Sequence, residues 1–194
     1  LPSDKRMTWK RTIFKLVVEA AEGVEYLHNS RYLDESTTVW QDCIIHRDLK
    51  PDNMLITSAW ALKLTDFGEA RAVDNQVTMT QVGTPLYVAP EVMKGEKYNE
   101  KVDVYSFAIC LIAMIRAAPN VVNFFFESLR NEMRKKTLSG IGVMVVNNRL
   151  QNGWRPKLPH TLYSTLASLI SDCWEAKAGN RPDFKEVVGR LSGE

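Results

Sequence analysis

From Lys101 to Ala117 the chain is apolar almost all the way round. A helix seated at a surface carries one apolar stripe, whereas a helix that is apolar on every side has to be surrounded by other elements. This segment is therefore expected to be a central pillar, and the rest of the chain to supply its wrapping. One wrapping helix is predicted from Trp9 to Asn29, where Ile13, Leu16, Val17, Ala20, Val24 and Leu27 follow the three-and-four spacing of a helical face. Further helices are expected over Val121–Lys136, Ile141–Gln151 and Leu162–Trp174, and a last one opened by Pro182 at a first-turn position. With 194 residues and 45% hydrophobic content, no repeat and no low-complexity tract, the expected fold is one mainly α domain, helices packed around a buried central helix.

The balance of 25 basic against 23 acidic residues gives no electrostatic reason to expect a nucleic-acid partner. The most apolar run, Val104 to Ile115, is about half of the roughly 20 residues needed to cross a bilayer, so no membrane insertion is expected in this segment. Cys43, Cys110 and Cys173 are odd in number, widely spaced and never in a C-x-x-C pair, which suggests neither a disulfide framework nor a zinc knuckle. With no secretory signal at Leu1–Arg6, the expectation is a reducing, cytoplasmic setting.

Three stretches break the helical pattern. Asn29 to Cys43 mixes polar, acidic and β-branched residues without a sustained period and is predicted to be a loop or insertion. Met54–Thr57 and Ala61–Thr65 read as two short strands joined at Ser58-Ala59, a small hairpin that returns its two flanks to one edge. Gly68 to Pro90 has little periodicity and many Thr and Gln residues; a surface loop of that length is uncommon unless functional.

Those flanks carry the chemistry. His46-Arg47-Asp48-Leu49-Lys50-Pro51-Asp52-Asn53 fits the pattern H-R-D-L-x-x-x-N, followed by Asp66-Phe67-Gly68 and then Ala89-Pro90-Glu91. In composition and order these strings resemble the protein kinase family, and the resemblance runs from Tyr26-Leu27-His28 to about Leu191. It implies the C-terminal, mostly helical lobe of a kinase catalytic domain, with the small hairpin at the catalytic edge. It further implies transfer of the ATP γ-phosphate to a protein substrate, a reaction in which the protein supplies positioning and neutralisation of phosphate charge.

By the same resemblance Asp48 takes the proton of the substrate hydroxyl, and Lys50 meets the transferring phosphate as a point charge. Asn53 and Asp66 offer the hard oxygen ligands that Mg2+ prefers. Leu55 matches a position packed beneath the adenine ring, with an ordinary core leucine as the alternative. His46 is implied to be scaffold, near Phe67, and not a proton carrier. Glu91 is implied to pair with Arg181, and Asp103 to cap the backbone of the catalytic loop.

Lys50 and the segment Gly83-Thr84-Pro85-Leu86-Tyr87 resemble kinases acting on serine or threonine, in which the Thr84 hydroxyl contacts the catalytic Asp and Lys. Asp103-Val104-Tyr105-Ser106-Phe107, Cys173-Trp174 and Arg181-Pro182-Asp183-Phe184 are similar to the tyrosine-kinase-like group, most of whose members modify serine or threonine. Arg47 is implied to bind a phosphorylated residue of the long loop, with Thr78 and Thr80 as candidates; two simply solvated threonines are the alternative.

Asn29–Cys43 and the region around Asn120–Leu138 are longer than the family pattern. The second carries Phe124-Phe125-Phe126 beside Arg130, Arg134, Lys135 and Lys136, either a docking face or core plus a solvated face. No glycine-rich G-x-G-x-x-G-x-V loop and no V-A-I-K lysine precede Trp9. Residues 1–194 are therefore expected to be the lobe alone, without the N-terminal lobe that covers ATP, and to have negligible activity in isolation. A pseudokinase or an isolated lobe acting as a protein-binding module is the alternative to a working enzyme, and a phosphate-transferring enzyme outside the protein kinases is a third reading.

Overall fold

The computed structural model describes residues 12–34, 38–66, 85–116, 121–133 and 142–193. The pillar is a helix, α3, over Lys101–Arg116. From Val102 to Ala113 none of its residues is more than 8% exposed, so burial on all sides is realised along three turns. Before it in the chain come α1 (Phe14–His28), β1 (Arg31–Asp34), β2 (Val39–Asp42), β3 (Met54–Ile56), β4 (Leu62–Leu64) and the short α2 (Pro90–Met93). After it come α4 (Val121–Glu132), α5 (Val143–Gln151), α6 (Ser164–Cys173) and α7 (Phe184–Ser192).

Helix α1 turns Leu16, Val17, Ala20, Ala21 and Val24 inward, packs along α7 and reaches the β3–β4 hairpin. Its small residues allow a close approach: a Cβ added at Gly23 would stand 3.0 Å from Leu64 Cδ1. Phe184 at the start of α7 lies edge-on to both Phe107 (5.3 Å) and His28 (5.2 Å), which joins three helices at one aromatic contact. Helix α7 begins at Asp183, whose side chain accepts from the Glu186 amide at 2.8 Å, and ends at Gly193 with φ of 83°. Pro182 thus precedes the N-cap and does not occupy the first turn.

Residues 29–43 do not form a simple loop. β1 and β2 pair antiparallel, Arg31 opposite Asp42 and Leu33 opposite Trp40. Leu33, Val39 and Trp40 are all exposed. An alternating pattern in sequence arises from one-sided burial. A ribbon wet on both faces has none, which is why its strands escaped detection. At its base Cys43 N donates to Ser30 O, and Ile44 N donating to Leu27 O ties it to α1, both at 3.0 Å. The hairpin predicted near residue 60 is present, with Met54 opposite Leu64. Among the described residues no helix is long and apolar enough to cross a membrane.

Phe107 is fully buried, and replacing it by Ala should lower unfolding stability by about 3–5 kcal/mol. Met144→Ala, at a side chain 84% exposed on α5, should stay within about 0.5 kcal/mol of the parent in the same denaturant titration.

Candidate active site

The catalytic-loop sequence, residues 46–53, passes beneath α3 and is held there by its backbone. Asp103 lies in the first turn of α3 and is wholly buried. One carboxylate oxygen accepts from the His46 amide (2.8 Å) and from His28 Nε2 (2.9 Å), and the other accepts from the Arg47 amide (2.9 Å). That grip fixes Arg47 at φ of 67°, a left-handed conformation costly for a residue with a Cβ. Two turns along α3, the Cys110 thiol meets the Leu49 carbonyl at 3.7 Å. The capping role expected of Asp103 is thus seen directly, and His28 is a partner the sequence did not announce.

Within this frame the side chains of Asp48, Lys50 and Asn53 converge. Asp48 Oδ2 accepts from Lys50 Nζ at 2.6 Å and from Asn53 Nδ2 at 3.0 Å. Asn53 Nδ2 also donates to the Asp48 carbonyl at 2.8 Å. Among the described residues Asp48 Oδ1 takes no hydrogen bond. With both amide hydrogens of Asn53 directed at Asp48, its Oδ1 is the atom left to face a cation.

Asp66 arrives by backbone. At the foot of the β3–β4 hairpin, the Thr65 amide donates to the Asn53 carbonyl (3.0 Å), and His46 Nε2 donates to the Thr65 carbonyl (3.1 Å). Asp66 follows with an exposed side chain and φ of 63°. His46, buried, acts here as a tie between the two loops, as expected of scaffold. Oxygen donors suit Mg2+, which is usually held by one or two carboxylates together with substrate phosphates. Asn53 Oδ1 and Asp66 fit that requirement, and among the described residues no group of three or more His, Cys, Asp or Glu forms an all-protein metal cage.

Leu55 is 54% exposed, and its neighbour Ile56 is also exposed, so the reading of Leu55 as an ordinary core leucine is not borne out. Arg47 is buried with its guanidinium 5.5 Å from the centre of the Tyr98 ring. Phe67, Thr78, Thr80 and Thr84 lie outside the described residues. The segment following Thr84 is partly fixed: Ser106 Oγ on α3 lies 2.7 Å from the Tyr87 carbonyl.

Glu91 and Arg181 form the expected pair, bidentate at 2.5 and 2.9 Å. Arg181 also donates to the carbonyls of Lys101 (3.0 Å) and Glu175 (2.9 Å). The fully buried Tyr105 ring has a guanidinium on it twice over, from Arg181 at 5.2 Å and from Arg155 at 5.4 Å. Arg155 had no motif to mark it. Burial lowers its pKa, and its donors go to the carbonyls of Leu150, Trp154 and Trp174.

Arg181→Met should cost about 3–5 kcal/mol in a denaturant titration, because it leaves Glu91 buried without a counter-charge. Arg181→Lys should recover only part of that, since an ammonium cannot make the forked pair. The half-buried Cys43 thiol is pushed up to about 11, first by burial and then by the carboxylates of Glu100 and Asp103. At pH 8 its thiolate fraction should be about 100-fold below that of an ordinary thiol. Iodoacetamide should accordingly label native Cys43 slowly and denatured protein rapidly, as peptide mass spectrometry would read.

Comparison with known proteins agrees with this geometry. The model of the protein kinase domain matches residues 3–190. A protein of Acanthamoeba polyphaga mimivirus described as a serine/threonine-protein kinase/receptor is 35% identical over 184 residues, which is 95% of this chain and 9% of that protein. Stress-activated protein kinase alpha of Dictyostelium discoideum is 34% identical over 186 residues, covering 94% of this chain and 26% of the relative. The RGS domain-containing serine/threonine-protein kinase A of the same organism is 32% identical, over 88% of this chain and 13% of its own. The chain therefore spans about a quarter or less of the length of these relatives, and along nearly its whole extent it belongs to the protein kinase domain family.

Proposed function

We propose that this domain works within a longer polypeptide as the large lobe of an enzyme that transfers the γ-phosphoryl group of ATP to serine or threonine hydroxyls of protein substrates. The observation that carries the reading is the state of Asp48: one oxygen is held by Lys50 and Asn53, and the other takes no hydrogen bond among the described residues and can accept a proton. A domain that only bound partners would have no use for that arrangement. The serine/threonine preference rests on Lys50 and on the names of the relatives.

Bound magnesium–ATP supplies the phosphoryl group and the cation that neutralises its charge. Asn53 Oδ1 and Asp66 would hold that cation, Lys50 would present its ammonium to the transferring phosphate, and exposed Leu55 would offer an apolar surface to the base. Asp48 Oδ1 orients the substrate hydroxyl and takes its proton. Thr84 is assigned to the substrate-binding segment that continues into Pro85–Tyr87. Phosphorylation of Thr78 or Thr80 would present a dianion to Arg47, whose guanidinium already stands beside the catalytic loop. Three unpaired cysteines fit a reducing, cytoplasmic setting.

In the full-length protein, Asp48→Asn should lower phosphotransfer to a serine or threonine peptide by about 10²- to 10⁴-fold while nucleotide binding persists. Asp66→Asn should instead raise the Mg2+ concentration needed for half-maximal rate. Phosphotyrosine as the main product, or full activity in Asp48→Asn, would overturn the assignment.

A further inference from the structure

Between α2, the turn that leads into α3 and the stretch around Lys177 lies an open cleft of about 530 Å³. Its charged lining is Lys94, Lys97 and Lys177 against Glu91 and Glu96, with Tyr98 on its wall. Glu91 is already neutralised by Arg181. The three lysines are exposed, and none forms an ion pair among the described residues. Only Glu96 opposes them, so one small cleft holds a surplus of two positive charges, as large as the net charge of the whole chain.

The cleft is built before any guest arrives. Glu96 N donates to the Glu91 carbonyl (2.9 Å) and Gly95 N to that of Val92 (3.0 Å). Gly95 takes φ of 68°, and Asn99 Oδ1 accepts from the Lys101 amide at 3.2 Å. Lysines of like sign on a fixed turn repel one another and favour an anionic guest. The position is also informative. Tyr98 carries Arg47 on its ring, and Arg47 directly precedes Asp48, so this wall backs onto the catalytic loop. The Tyr98 hydroxyl is buried and finds no acceptor among the described residues. Pro90, also in the lining, is three residues beyond Tyr87 in the segment expected to hold substrate.

We propose that this cleft docks an acidic segment, rich in aspartate and glutamate, of the protein substrate. The inference rests on the protein-kinase reading above, and concerns which substrates the same site prefers. A cleft of this size takes a few side chains, enough to recruit a peptide without touching the transferred group.

The test uses the full-length kinase and two peptides with the same phosphoacceptor, one with an Asp/Glu tail and one with a matched Asn/Gln tail. For the parent enzyme KM should be about tenfold lower with the acidic tail at equal kcat, and the gap should shrink as salt rises. In the triple variant Lys94→Glu, Lys97→Glu, Lys177→Glu the preference should vanish while kcat/KM for the neutral peptide stays unchanged. Fluorescence anisotropy of the labelled acidic peptide should show the same loss of binding without any turnover. Equal KM for the two tails, or a preference that survives the triple variant, would overturn the proposal. If neither peptide is phosphorylated, the kinase reading fails, and the anisotropy arm still decides on docking.

Discussion

The buried carboxylate of Asp103 is the constraint on which the site depends. An isolated charge in the interior is costly unless donors surround it. Here two backbone amides and an imidazole N–H do so, and the positive end of α3 adds to them. The same contacts bind the loop to the helix, since two amides without that acceptor would be buried polar groups with nothing to bond. Because the acceptor belongs to a helix packed on every side, the loop inherits the rigidity of the core. Ser106 and Cys110 extend the grip along the same helix, one to the Tyr87 carbonyl and the other to the Leu49 carbonyl.

A second clamp sets the position of the hairpin. Lys15 Nζ donates to the Trp60 carbonyl (3.0 Å), Glu19 accepts from the Leu62 amide (2.7 Å), and Gly23 lets Leu64 come close. Three positions spaced four residues apart on α1 therefore face the turn and second strand of the hairpin. Trp60 sits there at φ of 58°, a conformation the Lys15 contact helps to hold. The exposed Lys15–Glu19 ion pair adds little by itself. Its members matter through the backbone groups they satisfy. Asn53 and Asp66 stand at the two ends of this hairpin, so the axis from α1 to β4 governs the separation of the oxygen donors expected to hold a metal.

What the sequence made legible follows from how strongly each element is determined locally. α3 was legible because burial on all sides forces an unbroken apolar run, and the catalytic loop because its chemistry tolerates few residue types. The β3–β4 hairpin was legible from its turn. The β1–β2 ribbon was hidden because exposure on both faces removes the alternation that marks a strand, leaving backbone pairing, which has no sequence signature of its own. His28 and Arg155 were hidden for another reason. Each takes its role from a partner far along the chain, Asp103 at 75 residues' separation in the first case. Pro182 shows the limit of local rules: Asp183, which can cap, took the N-cap position and moved the proline one place outside the helix.

The two ties that locate the chemistry share a physical logic. Asp103 holds amides of residues 46 and 47, and His46 holds the carbonyl of residue 65. Neither contact uses a side chain proposed to act on substrate. Arg47 and Asp66 both adopt left-handed backbone, a strain of order 1 kcal/mol or more each that persists only where the surroundings over-determine it. Fixing the loops through their main chain leaves Asp48 Oδ1 and the Asp66 carboxylate without a hydrogen bond among the described residues, while still confining where they lie. Asp48 does carry an ion pair, but Lys50 engages only its Oδ2, so the second oxygen is not taken up by it. Asp103 and His46 thus position the two loops without being assigned any part in the reaction, whereas Lys50 and Asn53 both hold Asp48 and stand among the groups proposed to act.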